Sequence, residues 1–256
     1  FWQLTKPQPV VVPEWAKPVK SPPPNPAFLA TTARSSTIRA SFAGLLKSAR
    51  SIPLKYLATS MALSPDGRQA VLADVDHSVR VVDLTSGKEI HALSAHTKRV
   101  RALAWSPDGK YLLSAGDDQM AYLWNAKTGE IAGAYQNPYA IYKCAFLPDS
   151  NHFVTVYGEF LKFWTVGQDT ATAIAEAPAP IDSLYVTARG EVVSGDNSGT
   201  LTFWDGLTGE MLARKTRNTE NRTPTIWNIS STADGKLLIV DSDTNWLWDR
   251  SKDAMT

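Results

Sequence analysis

Residues 95–130 decide the fold, and they read AHTKRVRALAWSPDGKYLLSAGDDQMAYLWNAKTGE. The run 100–105 alternates apolar and polar side chains, as a strand with one buried face does. The Ser-Pro-Asp-Gly sequence of 106–109 follows, in which proline fixes φ and glycine supplies a positive φ for a turn. Similar turn-forming residues bound two more runs, and a fourth run comes after Glu130. The stretch therefore predicts a meander of four antiparallel strands over residues 100–105, 111–115, 120–124 and 131–135.

This pattern recurs along the chain with a nearly fixed period. Ser-Pro-Asp-Gly occurs at 64–67 and again 42 residues later. The tryptophans that end the predicted third strands are 40, 40 and 44 residues apart, and Val82 holds the same place 42 residues before the first of them. Such a period, with four strands per unit, is the signature of propeller blades, which bury the faces of their sheets by stacking on one another. Five units are predicted, with third strands that end near Asp83, Trp124, Trp164, Trp204 and Trp248.

Over residues 57–250 the motifs resemble the WD-repeat β-propeller family. Trp204-Asp205 and Trp248-Asp249 match the dipeptide that gives the family its name, and Ala95-His96 stands where the family usually has Gly-His. The resemblance implies an all-β fold, a propeller of four-stranded antiparallel blades. Seven blades are usual in this family. With five units detected, the ring closes at five, or a partner supplies further blades, or the sequence is a fragment.

The family often links a loop His, a second-strand Ser or Thr, a turn Asp and the third-strand Trp by hydrogen bonds. By this resemblance the fourth unit keeps Ser194, Asp196 and Trp204 without a histidine, and the third unit departs furthest from the pattern. The second unit offers the whole set, namely His96, Ser114, Asp118 and Trp124.

The first part of the chain, residues 1–36, is predicted to be an extended, proline-rich basic arm. Residues 1–26 hold eight of the chain's 16 prolines, which excludes a helix or a central strand there. The same segment also holds Trp2 and Trp15, which are unusual in a spacer. Two interpretations stay open, a linker or an arm that lies across a partner with these tryptophans as anchors.

The propeller domain is predicted over residues 37–256, and its first part, 37–52, admits two interpretations. Only six residues follow Arg250, so the fifth unit is expected to lack a fourth strand of its own. WD-repeat propellers commonly close the ring with an N-terminal strand, and by that resemblance 37–43 is the candidate closure strand. Alternatively, apolar residues at helical spacing with Arg39 alongside predict a basic amphipathic helix that rests on a membrane surface or a partner.

Charge is distributed unevenly although the net charge is +1. The first 55 residues carry eight Lys or Arg against one Glu, so the remainder is acidic. A basic arm on an acidic propeller favours protein partners, admits an anionic membrane surface, and argues against a broad nucleic-acid footprint. Localisation stays open, because a start at Phe1 leaves room for a removed signal or membrane anchor, which slightly favours an extracytoplasmic or membrane-associated setting.

Neither catalytic chemistry nor a cofactor or metal is predicted. The four histidines show no metal-ligand spacing, and no phosphate-binding glycine loop or nucleophile motif occurs. The single cysteine, Cys144, lies in an apolar run and is interpreted as a buried structural thiol. Acidic pairs such as Asp74 with Asp76 recur at one position of each repeat, which favours a role in turns.

The predicted function is that of a non-catalytic protein-interaction scaffold, a subunit of a larger multiprotein assembly that is tethered by its N-terminal arm. One face of the propeller is expected to present the loops near Asp76, Asp117 and Asp196. The alternative is a propeller associated with a membrane surface on a proline-rich stalk. The residues predicted to contact partners are Trp2, Trp15, Phe28, Arg39, Lys98, Arg99, Tyr139, Arg217 and Arg222.

Overall fold

The computed structural model describes residues 58–216, 224–232, 236–241 and 245–249, together with the short segments 37–38, 52–53 and 254–255. Every regular element in this part of the chain is a β-strand. In chain order the strands are β1 (Thr37–Ile38), β2 (Ile52–Pro53), β3 (Ala58–Leu63), β4 (Gln69–Asp74), β5 (Val79–Asp83), β6 (Glu89–Leu93), β7 (Val100–Trp105), β8 (Tyr111–Gly116), β9 (Met120–Asn125), β10 (Ile131–Gln136), β11 (Lys143–Phe146), β12 (His152–Tyr157), β13 (Phe160–Thr165), β14 (Ala173–Glu176), β15 (Ile181–Val186), β16 (Glu191–Asp196), β17 (Thr200–Asp205), β18 (Met211–Thr216), β19 (Ile226–Ser231), β20 (Leu237–Asp241), β21 (Asn245–Asp249) and β22 (Ala254–Met255).

Strands β3 to β22 form five four-stranded antiparallel sheets, each built from four consecutive strands. We number these sheets blades 1 to 5 in chain order. The four strands of the opening stretch are β7 to β10 of blade 2, and each lies within one residue of its predicted bounds. The predicted fold class, an all-β propeller of four-stranded antiparallel blades, is confirmed.

Successive blades pack face to face, and we call each such interface a seam. The innermost strands β3, β7, β11, β15 and β19 each contact the next along the chain. Trp124, Trp164, Trp204 and Trp248 each belong to a buried cluster that joins a blade to the preceding one. None of the four is more than 6% exposed. Since a buried tryptophan removes about 200 Å² from water, each contributes roughly 5 kcal/mol of gross hydrophobic free energy to its seam.

The Ser-Pro-Asp-Gly turns form as the sequence predicts, because the serine and aspartate satisfy the backbone of the turn. Ser106 Oγ donates to Asp108 Oδ1 at 2.7 Å and accepts the N–H of Tyr111 at 2.9 Å. Gly109 has a φ of 73°, a conformation that costs a residue with a Cβ about 1 kcal/mol. The turn at 64–67 repeats these bonds. We call the end of the blades that carries these turns the turn face.

Three of the outer strands contain a β-bulge, in which one extra residue opposes the neighbouring strand. The register of β5 with β6 skips Ile90, that of β9 with β10 skips Ala132, and that of β17 with β18 skips Leu212. Each bulge lies in the first three residues of its outer strand. A bulge bends the strand and increases its local twist.

The fifth blade has a short fourth strand, contrary to the sequence expectation. In β22, Ala254 and Met255 pair with Asp249 and Trp248 of β21. The expectation was wrong because two of the six residues after Arg250 pair with β21.

At the N-terminal side, Thr37–Ile38 pairs antiparallel with Ile52–Pro53. The rest of the segment 37–52, on which the closure-strand and helix interpretations fall, lies outside the described residues, as does the proline-rich arm 1–36.

Candidate interaction face

The four side chains predicted to form a hydrogen-bonded set in blade 2 meet in the structure. His96 Nδ1 lies 2.8 Å from Asp118 Oδ2, and His96 Nε2 lies 2.8 Å from Ser114 Oγ. Trp124 Nε1 donates to the same Ser114 Oγ at 2.9 Å. The side chain of His96 is fully buried, and that of Asp118 is 5% exposed.

The partners of His96 define its protonation. Burial lowers the pKa of His96, and the Asp118 carboxylate offsets this effect in part, so the ring is neutral at pH 7. A carboxylate only accepts hydrogen bonds, so His96 Nδ1–H donates to Asp118 and Nε2 accepts from the Ser114 hydroxyl. The hydroxyl oxygen in turn accepts the indole N–H of Trp124, and all these groups are satisfied.

The hydrogen bonds run from Asp118 through His96 to Ser114, as in a hydrolase triad. Their geometry here stabilises the fold and does not fit catalysis. A nucleophilic serine needs an exposed Oγ that a substrate can reach. Ser114 is fully buried, and Trp124 already donates to its oxygen. The set therefore fastens the loop before β7 to the body of blade 2.

Blade 3 contains a related set that the sequence interpretation missed. Thr155 Oγ1 donates to Asn137 Oδ1 at 3.2 Å, and Trp164 Nε1 donates to Thr155 Oγ1 at 3.0 Å. Asn137 is 1% exposed and follows His96 by 41 residues, so an amide takes the place of the imidazole. The repeat spacing is the sequence signal for Asn137, which stands where the family pattern has a histidine.

Blade 4 keeps a shorter version, and one part of its predicted set is wrong. Trp204 Nε1 donates to Ser194 Oγ at 2.9 Å. Asp196, however, ends β16, and its Oδ1 accepts the backbone N–H groups of Ser198 and Thr200, both at 2.9 Å. Asp118 comes four residues after its serine, whereas Asp196 comes two after Ser194, so it stabilises the turn and does not take the Asp118 position.

In blade 5, no hydroxyl of the described residues accepts the indole N–H of the tryptophan. Ile239 pairs with Trp246 two residues before Trp248, as Ser114 pairs with Tyr122 two residues before Trp124. Ile239 is fully buried, and the buried Trp248 Nε1 has no hydrogen-bond partner within the described residues. This seam therefore lacks the hydrogen bond that the three preceding tryptophans make.

These bonds organise the end of the blades opposite the turn face, which we call the loop face. In blade 2 the Thr97 N–H donates to Asp118 Oδ2 at 3.0 Å, and the Asp117 N–H donates to Arg99 O at 2.9 Å. Lys98 and Arg99 are exposed between these two attachment points. The loop 94–99 is thus fixed at both sides while its two cations face solvent.

Tyrosines of the next loop, 137–142, form an exposed aromatic group on the loop face. Tyr139 is 67% exposed and Tyr142 is 43% exposed. The Tyr139 ring lies 6.3 Å from the buried ring of Tyr157, which stacks on Phe160 at 5.5 Å. The loop itself is attached by the Ile141 N–H, which donates to Gly116 O at 3.0 Å. The Tyr139 ring therefore lies against packed aromatic side chains.

Arg101 connects the two loops. Its guanidinium contacts the carboxylate of Asp117 through two hydrogen bonds, at 2.6 Å and 3.0 Å, and lies 5.3 Å from the centre of the Tyr142 ring. The bond to Asp117 raises the pKa of Arg101, so the charge is permanent. An arginine held by both a carboxylate fork and an aromatic ring has a fixed orientation.

The position of Arg101 recurs in other blades as a β-bulge near the start of the innermost strand. The register there skips one residue, and a bulge re-aims the side chain of that residue. The extra residue of blade 5, Trp227, is 58% exposed. The skipped residues are Thr59, Arg101, Asp182 and Trp227.

Among the residues predicted to contact partners, Lys98, Arg99 and Tyr139 lie together on the loop face. The sequence interpretation did not include Arg101, Tyr142 or Trp227, because their exposure depends on the bulges and the loop path. The remaining predicted residues, Trp2, Trp15, Phe28, Arg39, Arg217 and Arg222, lie outside the described residues.

The described residues offer no group of metal ligands, no reactive cysteine and no membrane-spanning helix. No group of three or more His, Cys, Asp or Glu side chains is placed there to hold a metal ion. Burial raises the pKa of the Cys144 thiol to about 12, so it stays protonated at neutral pH. Nor does any helix there have the length and apolar character needed to cross a bilayer.

The comparisons with known proteins agree with this architecture. Residues 87–125 match the family model for the WD domain, G-beta repeat. The chain is a β-propeller that contains a WD repeat. The propeller also resembles the solved β-propeller domain of Cps50 (Swd1) from Myceliophteria thermophila. That likeness has a TM-score of 0.66 at 20% identity over 77% of this chain and 67% of the other, and it supports the fold.

Curated WD-repeat proteins are similar in sequence over part of their length. The chain is 29% identical over 59% of its length to WD repeat-containing protein 90 of Mus musculus. It is 28% identical over 62% to the Serine-threonine kinase receptor-associated protein of Gallus gallus, and 23% identical over 56% to Target of rapamycin complex subunit wat1 of Schizosaccharomyces pombe. The match spans 9%, 45% and 48% of these relatives, less than half of each.

Proposed function

We propose that this WD-repeat propeller is a non-catalytic interaction scaffold, a subunit of a larger multiprotein assembly, and that a protein partner contacts its loop face. The observation that carries the proposal is the exposed pair Tyr139 and Tyr142 beside the oriented Arg101. Tyrosine and arginine are the residue types that most often dominate the binding energy of protein interfaces.

The names of two relatives support the general role. One relative is a subunit of a target of rapamycin complex, and another is named as associated with a receptor kinase. Similar chains therefore take part in protein assemblies. The kind of partner that this propeller binds is inferred from the residues of its loop face.

The loop face is suited to binding because its side chains and loops are already held in place before a partner associates. Arg101 is already held by Asp117, and the loops 94–99 and 137–142 are hydrogen-bonded to the blades. Ordering a flexible side chain at an interface costs about 1 kcal/mol, and here most of that cost falls on folding. Lys98 and Arg99 add positive charge beside the exposed tyrosines. They favour a partner that carries acidic groups next to the surface that contacts those tyrosines.

The arm is proposed as a second contact. Residues 1–36 combine proline-rich sequence with Trp2 and Trp15, and an extended segment with aromatic anchors can lie along a partner and tether the propeller to it.

The proposal is tested by native mass spectrometry of the assembly recovered with the tagged full chain. The double variant Tyr139→Ala/Tyr142→Ala is expected to lose partner occupancy by about ten-fold or more, because two hot-spot side chains are removed. The matched control is Ile131→Ala/Ile174→Ala, which truncates two apolar side chains of similar exposure on outer strands. Equal partner occupancy in both double variants would contradict the role of the loop face.

The arm is tested separately by deleting residues 1–52. Loss of the partner from the deleted chain, with the propeller still folded by circular dichroism, supports the tether. The membrane-surface alternative predicts instead that the full chain sediments with vesicles of anionic lipid, that added salt reverses this, and that the deleted chain does not sediment.

A further inference from the structure

The turn face carries a groove between blades 1 and 2. Its volume is about 250 Å³, smaller than the usual pocket for a drug-sized ligand and suited to one side chain. Two Ser-Pro-Asp-Gly turns form its sides, and an indole forms part of its wall. The lining residues are Ser64, Pro65, Asp66, Gln69, Trp105, Asp108 and Gly109.

Within the described residues, no hydrogen bond joins these two turns. On the other side of blade 2 the corresponding turns are joined, since the Asp108 N–H donates to Ser150 Oγ of blade 3 at 3.0 Å. Between blades 1 and 2 the large side chain of Trp105 ends β7 and packs partly buried against the seam cluster.

The rim of the groove is acidic. The hydrogen bond from Ser64 lowers the pKa of Asp66, and bonds from Lys110 and Ser106 outweigh burial and lower the pKa of Asp108, so both carboxylates are ionised at pH 7. Asp66 Oδ1 accepts the Ser64 hydroxyl and the Arg68 N–H. Asp66 Oδ2 makes no hydrogen bond or ion pair with the described residues and is open to a ligand.

A lysine of the chain, Lys110, already forms an ion pair with this acidic rim. Lys110 Nζ lies 2.9 Å from Asp108 Oδ2, but the lysine side chain is 74% exposed. An ion pair of that exposure is weak because solvent screens it, so a cation that makes further contacts can replace it.

The wall provides those further contacts. Trp105 lines the groove and offers an aromatic surface on which a planar cation can stack. A guanidinium is planar, binds carboxylates through a fork of N–H donors and stacks on aromatic rings, whereas an ammonium is a compact, strongly hydrated charge. The combination of Asp66, Asp108 and Trp105 therefore fits arginine better than lysine.

We propose that this groove binds the arginine side chain of a partner protein segment, with the guanidinium on Asp66 and Asp108 and its flat side against Trp105. The site lies on the face opposite the loop face and does not depend on the function proposed above. It would give the propeller a second point of attachment, so that one molecule joins two partners.

The test uses nuclear magnetic resonance of the full chain, with the Trp105 indole N–H signal assigned by a Trp105→Phe variant. The probe is N-acetyl-argininamide, and the control is the citrulline analogue, which has the same shape without the charge. The indole signal is expected to shift in a saturable manner with the arginine probe and at least about ten-fold more weakly with the citrulline or lysine analogue.

Substitutions locate the site. Asp66→Asn is expected to weaken the arginine affinity by about ten-fold. Asp149→Asn, at the matching turn of blade 3 outside the groove, is expected to leave it unchanged. Lys110→Ala is expected to strengthen binding, because it removes the competing cation. An equal response to arginine and citrulline probes, or an undiminished affinity in Asp66→Asn, would overturn the proposal.

Discussion

At the scale of single residues, the stability of blade 2 depends strongly on one oxygen atom. Ser114 Oγ donates to His96 and accepts from Trp124 in a site without access to water. Its loss leaves two buried polar groups unpaired, each at a cost of about 1–3 kcal/mol. Ser194 of blade 4 is the matched case, because it serves Trp204 in the same way without a histidine.

The first prediction compares these two serines. Ser114→Ala is expected to lower the free energy of unfolding by about 2–4 kcal/mol, and Ser194→Ala by about 1–2 kcal/mol, since the latter leaves one buried group unpaired. Urea denaturation followed by tryptophan fluorescence measures both. Equal costs would show that His96 Nε2 finds another partner.

The second prediction concerns pH. Because the pKa of His96 is lower in the folded chain than in the unfolded chain, the unfolded chain binds more protons as the pH falls below about 6.5. The His96 contribution to stability is therefore complete above that value and declines below it. His96→Asn, which introduces the amide that Asn137 supplies in blade 3, is expected to remove this part of the pH dependence. Urea midpoints of both proteins between about pH 7.5 and 5.5 check the difference.

At the scale of elements, the loop 94–99 approaches blade 2 closely enough to exclude a side chain. A Cβ added to Gly116 would overlap the backbone oxygen of Arg99, which accepts the Asp117 N–H. Gly116 is therefore required for close approach, whereas Gly109 is required for its φ of 73° and has open space around it.

The third prediction separates these two requirements. Gly109→Ala is expected to cost about 1 kcal/mol of stability and to leave the loops unchanged. Gly116→Ala is expected to cost about 3 kcal/mol, because one backbone segment must move. Hydrogen exchange at the Asp117 amide should accelerate in Gly116→Ala alone. Retained protection in that variant would mean that the sheet, and not the loop, adjusts.

The strands of blade 2 were predictable because turn-forming residues separate them, although the burial of β8 is continuous and does not alternate. The fourth strand of blade 5 was not, because Ala254 and Met255 carry no alternating pattern of their own and are defined by pairing with β21. The loop-face residues divide in the same way. Tyr139 beside a proline was predicted as a partner contact, while the exposure of Tyr142 and Trp227 arises from the chain path, which local sequence does not encode.

At the scale of the whole molecule, the seams differ in how well their polar groups are satisfied. Trp124, Trp164 and Trp204 each have a hydroxyl partner, and Trp248 has none among the described residues. In a repeat architecture each blade is stabilised by its neighbours, so a weaker seam lowers the stability of the blade at that position.

The fourth prediction follows from this difference. Ile239→Thr places a hydroxyl where Thr155 stands in blade 3, within the reach of Trp248 Nε1. It is expected to be no more destabilising than Ile239→Val, although burying an unpaired hydroxyl usually costs about 1–3 kcal/mol. Chemical denaturation measures the free energy of unfolding of both variants. A clearly lower value for Ile239→Thr than for Ile239→Val would show that the hydroxyl finds no partner.

The bulges of the outer strands influence whether copies of this molecule associate with one another. The last strand of a blade has one side without a neighbour, and a straight edge of that kind can add the strand of another molecule, which begins fibril growth. The extra residues Ile90, Ala132 and Leu212 bend β6, β10 and β18 near their starts, so a second edge cannot lie flat along them. These three edges are thereby hindered from pairing with the edge of a second copy, which lowers the tendency of the propeller to associate with itself.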